Sequence, residues 1–153
     1  MTVTVSAEAA VEPTEDEKKV ERALLRLFPS GRVEKKDEQG STVGLMMHGT
    51  GLEFLSALRS LIRQDRIRST ARVIFLRSAR ERILRFYLNK QAAFMGRVSF
   101  CAPVGESPHG PISIFVESED MQPVIDYLAA NPAAAAGSSV RRQRGRSPYP
   151  EEE

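Results

Sequence analysis

The chain has 153 residues, 41% of them hydrophobic and 27% charged, which bounds it to one ordinary globular domain. It contains no apolar run of about eighteen residues, so no membrane-spanning helix is expected, and no basic-then-apolar leader is read at its start. Cys101 is the only cysteine; an internal disulfide is impossible, and a reducing cytoplasm is the expected compartment.

Residues 2–11 alternate polar and apolar, as a half-buried strand does, until Pro13 breaks the pattern. Thr14-Glu15-Asp16-Glu17 reads as a capping box, with Thr14 as the cap and Glu17 reaching back to it. The helix it opens carries an apolar stripe of Val20, Leu24, Leu27 and Phe28, and Pro29-Ser30-Gly31 ends it. A hairpin follows, with strands at 31–36 and 41–48 around Asp37-Glu38-Gln39-Gly40. Thr50-Gly51-Leu52-Glu53 repeats the start signal for a second helix with Leu55, Leu58 and Ile62 inward. On that helix Arg59, Arg63 and Arg66 stand at i, i+4 and i+7, which would place them on one face.

A third helix is expected from about Ser69, with Ala71, Ile74, Phe75 and Ser78 inward and Arg77 and Arg80 outward. Leu84, Phe86 and Leu88 alternate as a strand, Lys90-Gln91-Ala92-Ala93 interrupts it as a helical turn, and Val98 and Phe100 resume a strand. Residues 102–110 read as a Gly/Pro loop. Ile112, Ile114 and Val116 mark the next strand, and Ser118-Glu119-Asp120 starts a last helix with Met121, Val124, Ile125 and Leu128 inward. From Asn131 on, almost no apolar surface is left to bury, so 131–153 is expected to be a disordered Ala/Arg/Pro-rich tail following a domain at 1–130. The order β-α-β-β-α-α-β-β-β-α, with local hairpins, predicts an α+β domain of two layers, a mostly antiparallel sheet with helices on one face.

Charge is the most uneven property of the sequence. The net charge is +2, yet residues 59–97 hold eleven basic side chains (Arg59, Arg63, Arg66, Arg68, Arg72, Arg77, Arg80, Arg82, Arg85, Lys90 and Arg97) against two acids, Asp65 and Glu81. Fixed cations concentrated in this way favour a polyanion as partner, although plain solvated helix faces carry the same composition. No catalytic constellation accompanies them. His48 and His109 lack the partners of a metal site, Cys101 has no neighbouring base, and Gly49-Thr50-Gly51 is not followed by a phosphate-loop pattern. No enzyme, metal or cofactor is therefore expected.

Two stretches are recognisable: Val11 to Pro29, with the helix ending Leu-Phe-Pro, and Phe86 to Phe100, with Leu88-Asn89-Lys90-Gln91-Ala92-Ala93 followed by Gly96. They resemble an archaeal family of small proteins described as predicted RNA-binding proteins and exosome subunits. Gly110-Pro111-Ile112 is similar to the same family. So is Ile67-Arg68-Ser69-Thr70-Ala71-Arg72, although the family more often has an acid where Ser69 stands. The resemblance spans roughly residues 1–129. It implies a fold like that of the large-subunit ribosomal protein that binds 5S rRNA, and RNA as the ligand.

Arg59, Arg63, Arg66, Arg68, Arg72, Arg77, Lys90 and Gln91 are the RNA contacts expected from the charge pattern. Arginine forks onto phosphate with two parallel bonds and stacks on bases; Gln91 carries both donor and acceptor groups. Asn89 is expected to cap a turn. The alternative is a protein-interaction module, a homodimer or a docking surface for an acidic protein.

Overall fold

Apolar residues at every second position of residues 3–11, 43–50, 83–88 and 112–118 dictate strands with one dry face. The computed structural model describes residues 2–37, 43–102 and 110–131. Its elements are β1 (Val3–Val11), α1 (Glu17–Leu27), β2 (Glu34–Asp37), β3 (Val43–Thr50), a 3-10 turn (Leu52–Leu55), α2 (Ser56–Gln64), α3 (Arg68–Ser78), β4 (Ile83–Leu88), α4 (Lys90–Phe94), β5 (Ile112–Ser118) and α5 (Met121–Leu128). The five strands form one antiparallel sheet in the order β2-β3-β1-β5-β4. The domain is a two-layer α+β arrangement, as expected. The hairpin turn, most of the 102–110 loop and the tail from 132 lie outside the described residues.

One face of the sheet is the floor of the core. Val5, Ala7, Met47, Leu84, Phe86, Ile112, Ile114 and Val116 are buried there against Leu24, Leu27, Leu58, Ile62, Phe75, Val124 and Leu128 from the helices. An aromatic cluster of Phe75, Phe86 and Phe100, with centroids 4.9–6.0 Å apart, closes the end under α3. Phe28 and Phe54 stack at 5.2 Å near the other end. The opposite face of the sheet carries no helix among the described residues.

Three local expectations are corrected. Helix α1 is capped by Asp16, whose carboxylate accepts from Lys18 N at 3.0 Å, and not by Thr14. Thr50 is still in β3, opposite Thr4, and α2 is entered through the 3-10 turn with no side-chain cap. Residues 98–100 do not form a strand; only an isolated bridge pairs Leu88 with Phe100. That segment is held by side chains: Val98 N donates to Asp65, and the Phe100 ring joins the aromatic cluster.

Gly49 is fixed by packing. A Cβ there would lie 2.2 Å from the Phe54 ring, which is itself stacked on Phe28. Gly49→Ala is expected to destabilise the domain by about 1–3 kcal/mol, because two buried rings would have to shift. Thermal unfolding followed by circular dichroism checks this.

Candidate nucleic-acid interface

The α2–α3 corner gathers arginines without neutralising them. Helix α2 ends in a Schellman turn: Arg66 N donates to Arg63 O at 3.1 Å, and Ile67 N donates to Ile62 O at 3.2 Å. The left-handed position of that turn, which glycine adopts most easily, is held by Arg66 with φ 60°. Arg66 therefore leaves the helix, and the single face expected for Arg59, Arg63 and Arg66 does not exist.

Helix α3 then starts on Arg68 with no side-chain cap and no acid in its first turn. A helix start carries partial positive charge and unpaired N–H groups, and acids usually gather there. Here Arg68 opens the helix, Arg66 stands two residues before it, and Arg63 lies in the last turn of α2. The one acid of the corner, Asp65, faces elsewhere: its carboxylate accepts from Arg97 Nε at 3.1 Å and from Val98 N at 3.0 Å. Among the described residues, Arg63, Arg66, Arg68 and Arg77 meet no carboxylate. Arg63, Arg66 and Arg77 are exposed and Arg68 is half-buried. Arg77 lies at the far end of α3, nine residues from Arg68, or about 14 Å along the axis at the rise of an α-helix.

The other expected contacts are differently placed. Arg72 pairs with Asp126 at 2.8 Å and donates to Ala129 O at 2.9 Å, so it ties α3 to α5 with only 15% of its side chain exposed. The Arg59 guanidinium lies over the Tyr127 ring, 4.9 Å from its centroid, and packs α2 on α5. Lys90 is buried. Its ammonium donates to Ala10 O and to Glu15, at 3.0 Å from Glu15 Oε1. Asn89 caps α4 by accepting from Ala92 N at 2.9 Å, as expected. Gln91 is the one exposed residue of the 88–93 run.

The Leu-Asn-Lys-Gln-Ala-Ala run is thus mainly a structural device. Leu88, Lys90 and Ala93 are buried, and Asn89 starts the turn. Acting together they fasten α4 to the end of β1 and to the approach to α1.

None of the expected contacts lies on the open face of the sheet. There Arg85 of β4 lies over the Phe115 ring of β5, 5.2 Å from its centroid. The alternation in β4 and β5 was the signal: residues between the buried ones must face the other side. Among the described residues no group of three or more His, Cys, Asp or Glu is placed to hold a metal ion. None of their helices is long and apolar enough to cross a membrane.

A family model described as RNA binding matches residues 4–117. The chain is 36% identical over 126 residues to a UPF0201 protein of Sulfurisphaera tokodaii, covering 82% of this chain and 86% of that protein. It is also 36% identical over 144 residues to a UPF0201 protein of Aeropyrum pernix, covering 93% of each. The 2.2 Å crystal structure of the UPF0201 protein from Methanococcus jannaschii is similar, with a TM-score of 0.76 and 29% identity, over 84% of this chain and 93% of that one.

Proposed function

The chain belongs to the UPF0201 family, and from that premise, with a family model described as RNA binding, we propose that it is a non-catalytic RNA-binding protein that grips the ribophosphate backbone at the α2–α3 corner. The observation that carries this reading is the α2–α3 corner: the start of α3 has no acid and no side-chain cap, and Arg63, Arg66 and Arg68, within six residues of chain, meet no carboxylate among the described residues. Unpaired backbone N–H groups at a helix start and unneutralised guanidinium groups close by in the chain carry the same sign of charge, a combination that suits a phosphate. Arg66 supports it further. A non-glycine residue at φ 60° costs of order 1 kcal/mol, and such strain is a reason to look for function.

Arg77 and Gln91 belong to the proposal as outlying contacts. Arg59, Arg72 and Lys90 leave it, because each is engaged in packing or pairing. The finer proposal is an accessory role in RNA processing, at an exosome or a ribosome. What supports it is the family model described as RNA binding over residues 4–117; a fold like that of the 5S-rRNA-binding ribosomal protein is part of the same proposal.

Backbone recognition requires counterion release, so log K for a single-stranded RNA is expected to fall linearly with log salt. Three phosphates give a slope of about −2 for single strands, and added contacts at Arg77 steepen it. Filter binding across a salt series measures it. A slope near zero sinks the backbone reading.

The second reading is a protein-interaction module. Val73 and Leu76, three residues apart on α3, are exposed at 46% and 50%, and an apolar pair next to Arg77 suits a protein partner better than a phosphate chain. Protein–protein crosslinks that survive nuclease treatment favour this reading over the first.

A further inference from the structure

The corner supplies phosphate contacts, but phosphates carry no sequence information. A second surface carries the chemistry that bases require. The sheet register sets Arg85, Phe115, Ser6 and His48 side by side across β4, β5, β1 and β3. The neighbouring row on the same face is Tyr87, Ser113, Glu8 and Met46, and the row beyond Phe115 on the other side holds Glu117, Thr4 and Thr50. Strands stand about 4.8 Å apart, so the four positions of the first row span about 14 Å, room for two bases laid side by side.

Two depressions flank Phe115. One, of ≈ 410 Å³, is lined by Glu8, Tyr87 and Arg85. The other, of ≈ 450 Å³, is lined by His48, Thr50 and Glu117. Phe115 and Ser6 line both. Arg85, Glu8, His48 and Glu117 are exposed, while Phe115 and Tyr87 are half-buried and so firmly based.

The acids decide what fits. Glu8 and Glu117 repel a phosphate chain, so this face is not a second backbone site. A carboxylate accepts hydrogen bonds only; the amino groups of adenine and cytosine donate them, whereas uracil offers only its ring N3–H, set between the O2 and O4 acceptors that a carboxylate repels. Phe115 and the Arg85 plane offer stacking surfaces of the kind used for unpaired bases.

Resting on the reading that the ligand is RNA, we propose that the open sheet face holds two successive unpaired bases of single-stranded RNA, one on each side of Phe115, with Glu8 and Glu117 accepting from their amino groups. Adenine and cytosine are then preferred to uracil. Phosphates run outside the platform, and the α2–α3 corner is a separate point of attachment.

The test uses the full chain and labelled oligo(A), oligo(C) and oligo(U) of about ten nucleotides, read by fluorescence anisotropy. Phe115→Ala is expected to weaken oligo(A) and oligo(C) about tenfold, with the salt slope unchanged. Glu8→Gln, which can donate as well as accept, is expected to narrow the preference over oligo(U). Thermal melts confirm folding, and if Phe115→Ala melts early, Arg85→Gln, which removes the stacked guanidinium from outside the core, replaces it. If the wild type binds these RNAs and neither substitution changes affinity or base preference, the platform is overturned while RNA binding stands. If the wild type binds no RNA, the proposed function fails and the platform with it. If Phe115→Ala instead dissociates a dimer in sedimentation, the face belongs to a second copy and the proposal is overturned.

Discussion

Changing Arg63 to Ala, Arg66 to Gly and Arg68 to Ala together is expected to weaken RNA binding by about 10- to 100-fold near 0.15 M salt and to remove about 2 from the log–log salt slope. The magnitude follows from three phosphate contacts, each releasing about 0.7 of a counterion from a single strand. The fold is expected to survive. Arg63 is exposed, glycine accepts the φ of 60° at position 66 without strain, and Arg68 sits where a cation opposes the dipole of α3. Melting temperature should therefore hold or rise while affinity falls, a combination that damage to the core does not produce.

Arg72→Ala supplies the contrast. It removes the α3–α5 tie through Asp126 and Ala129, so it is expected to lower the melting temperature while leaving the salt slope alone. A triple variant with the wild-type slope moves the site away from the corner.

The contrast between Arg66 and Arg72 also marks how far the sequence could be read. The apolar stripes were legible because periodicity is local: Val124, Ile125 and Leu128 of α5, or Ile112, Ile114 and Val116 of β5, are buried as their spacing requires. Caps were less so. Thr14 and Asp16 are both good caps, and the choice falls to Asp16 where Glu15 is drawn to Lys90, seventy-five residues away. Arg72 and Lys90 looked like their neighbours in a basic run, and their partners Asp126 and Glu15 come from distant segments. Phe100 kept the alternation of a strand, but its ring is held by Phe75 and Phe86 and its backbone makes only a bridge. Charge density marks a basic stretch of chain, and the sorting of its arginines into exposed and paired ones depends on tertiary contacts.

Lys90→Met is expected to destabilise the domain by about 3–5 kcal/mol, the usual effect of removing one partner from a buried ion pair. For a domain of this size that corresponds to a fall in melting temperature of roughly 10 °C or more. The pair is well shielded, with side-chain exposures of 6% for Lys90 and 12% for Glu15. Its ammonium joins three segments, since it donates to Ala10 O at the end of β1 and to Glu15, whose Oε1 also accepts from Glu12 N at 2.9 Å. Methionine fills the volume but leaves a carboxylate buried beside an apolar chain and the Ala10 carbonyl without its charged donor. The double variant Lys90→Met with Glu15→Gln should recover much of the loss, because the amide still accepts from Glu12 N and no charge remains unpaired. A double-mutant cycle by denaturant unfolding isolates this coupling. Were Lys90 instead a phosphate contact, the single variant would melt like the wild type, the cycle would show no coupling, and the RNA salt slope would flatten by about 0.7.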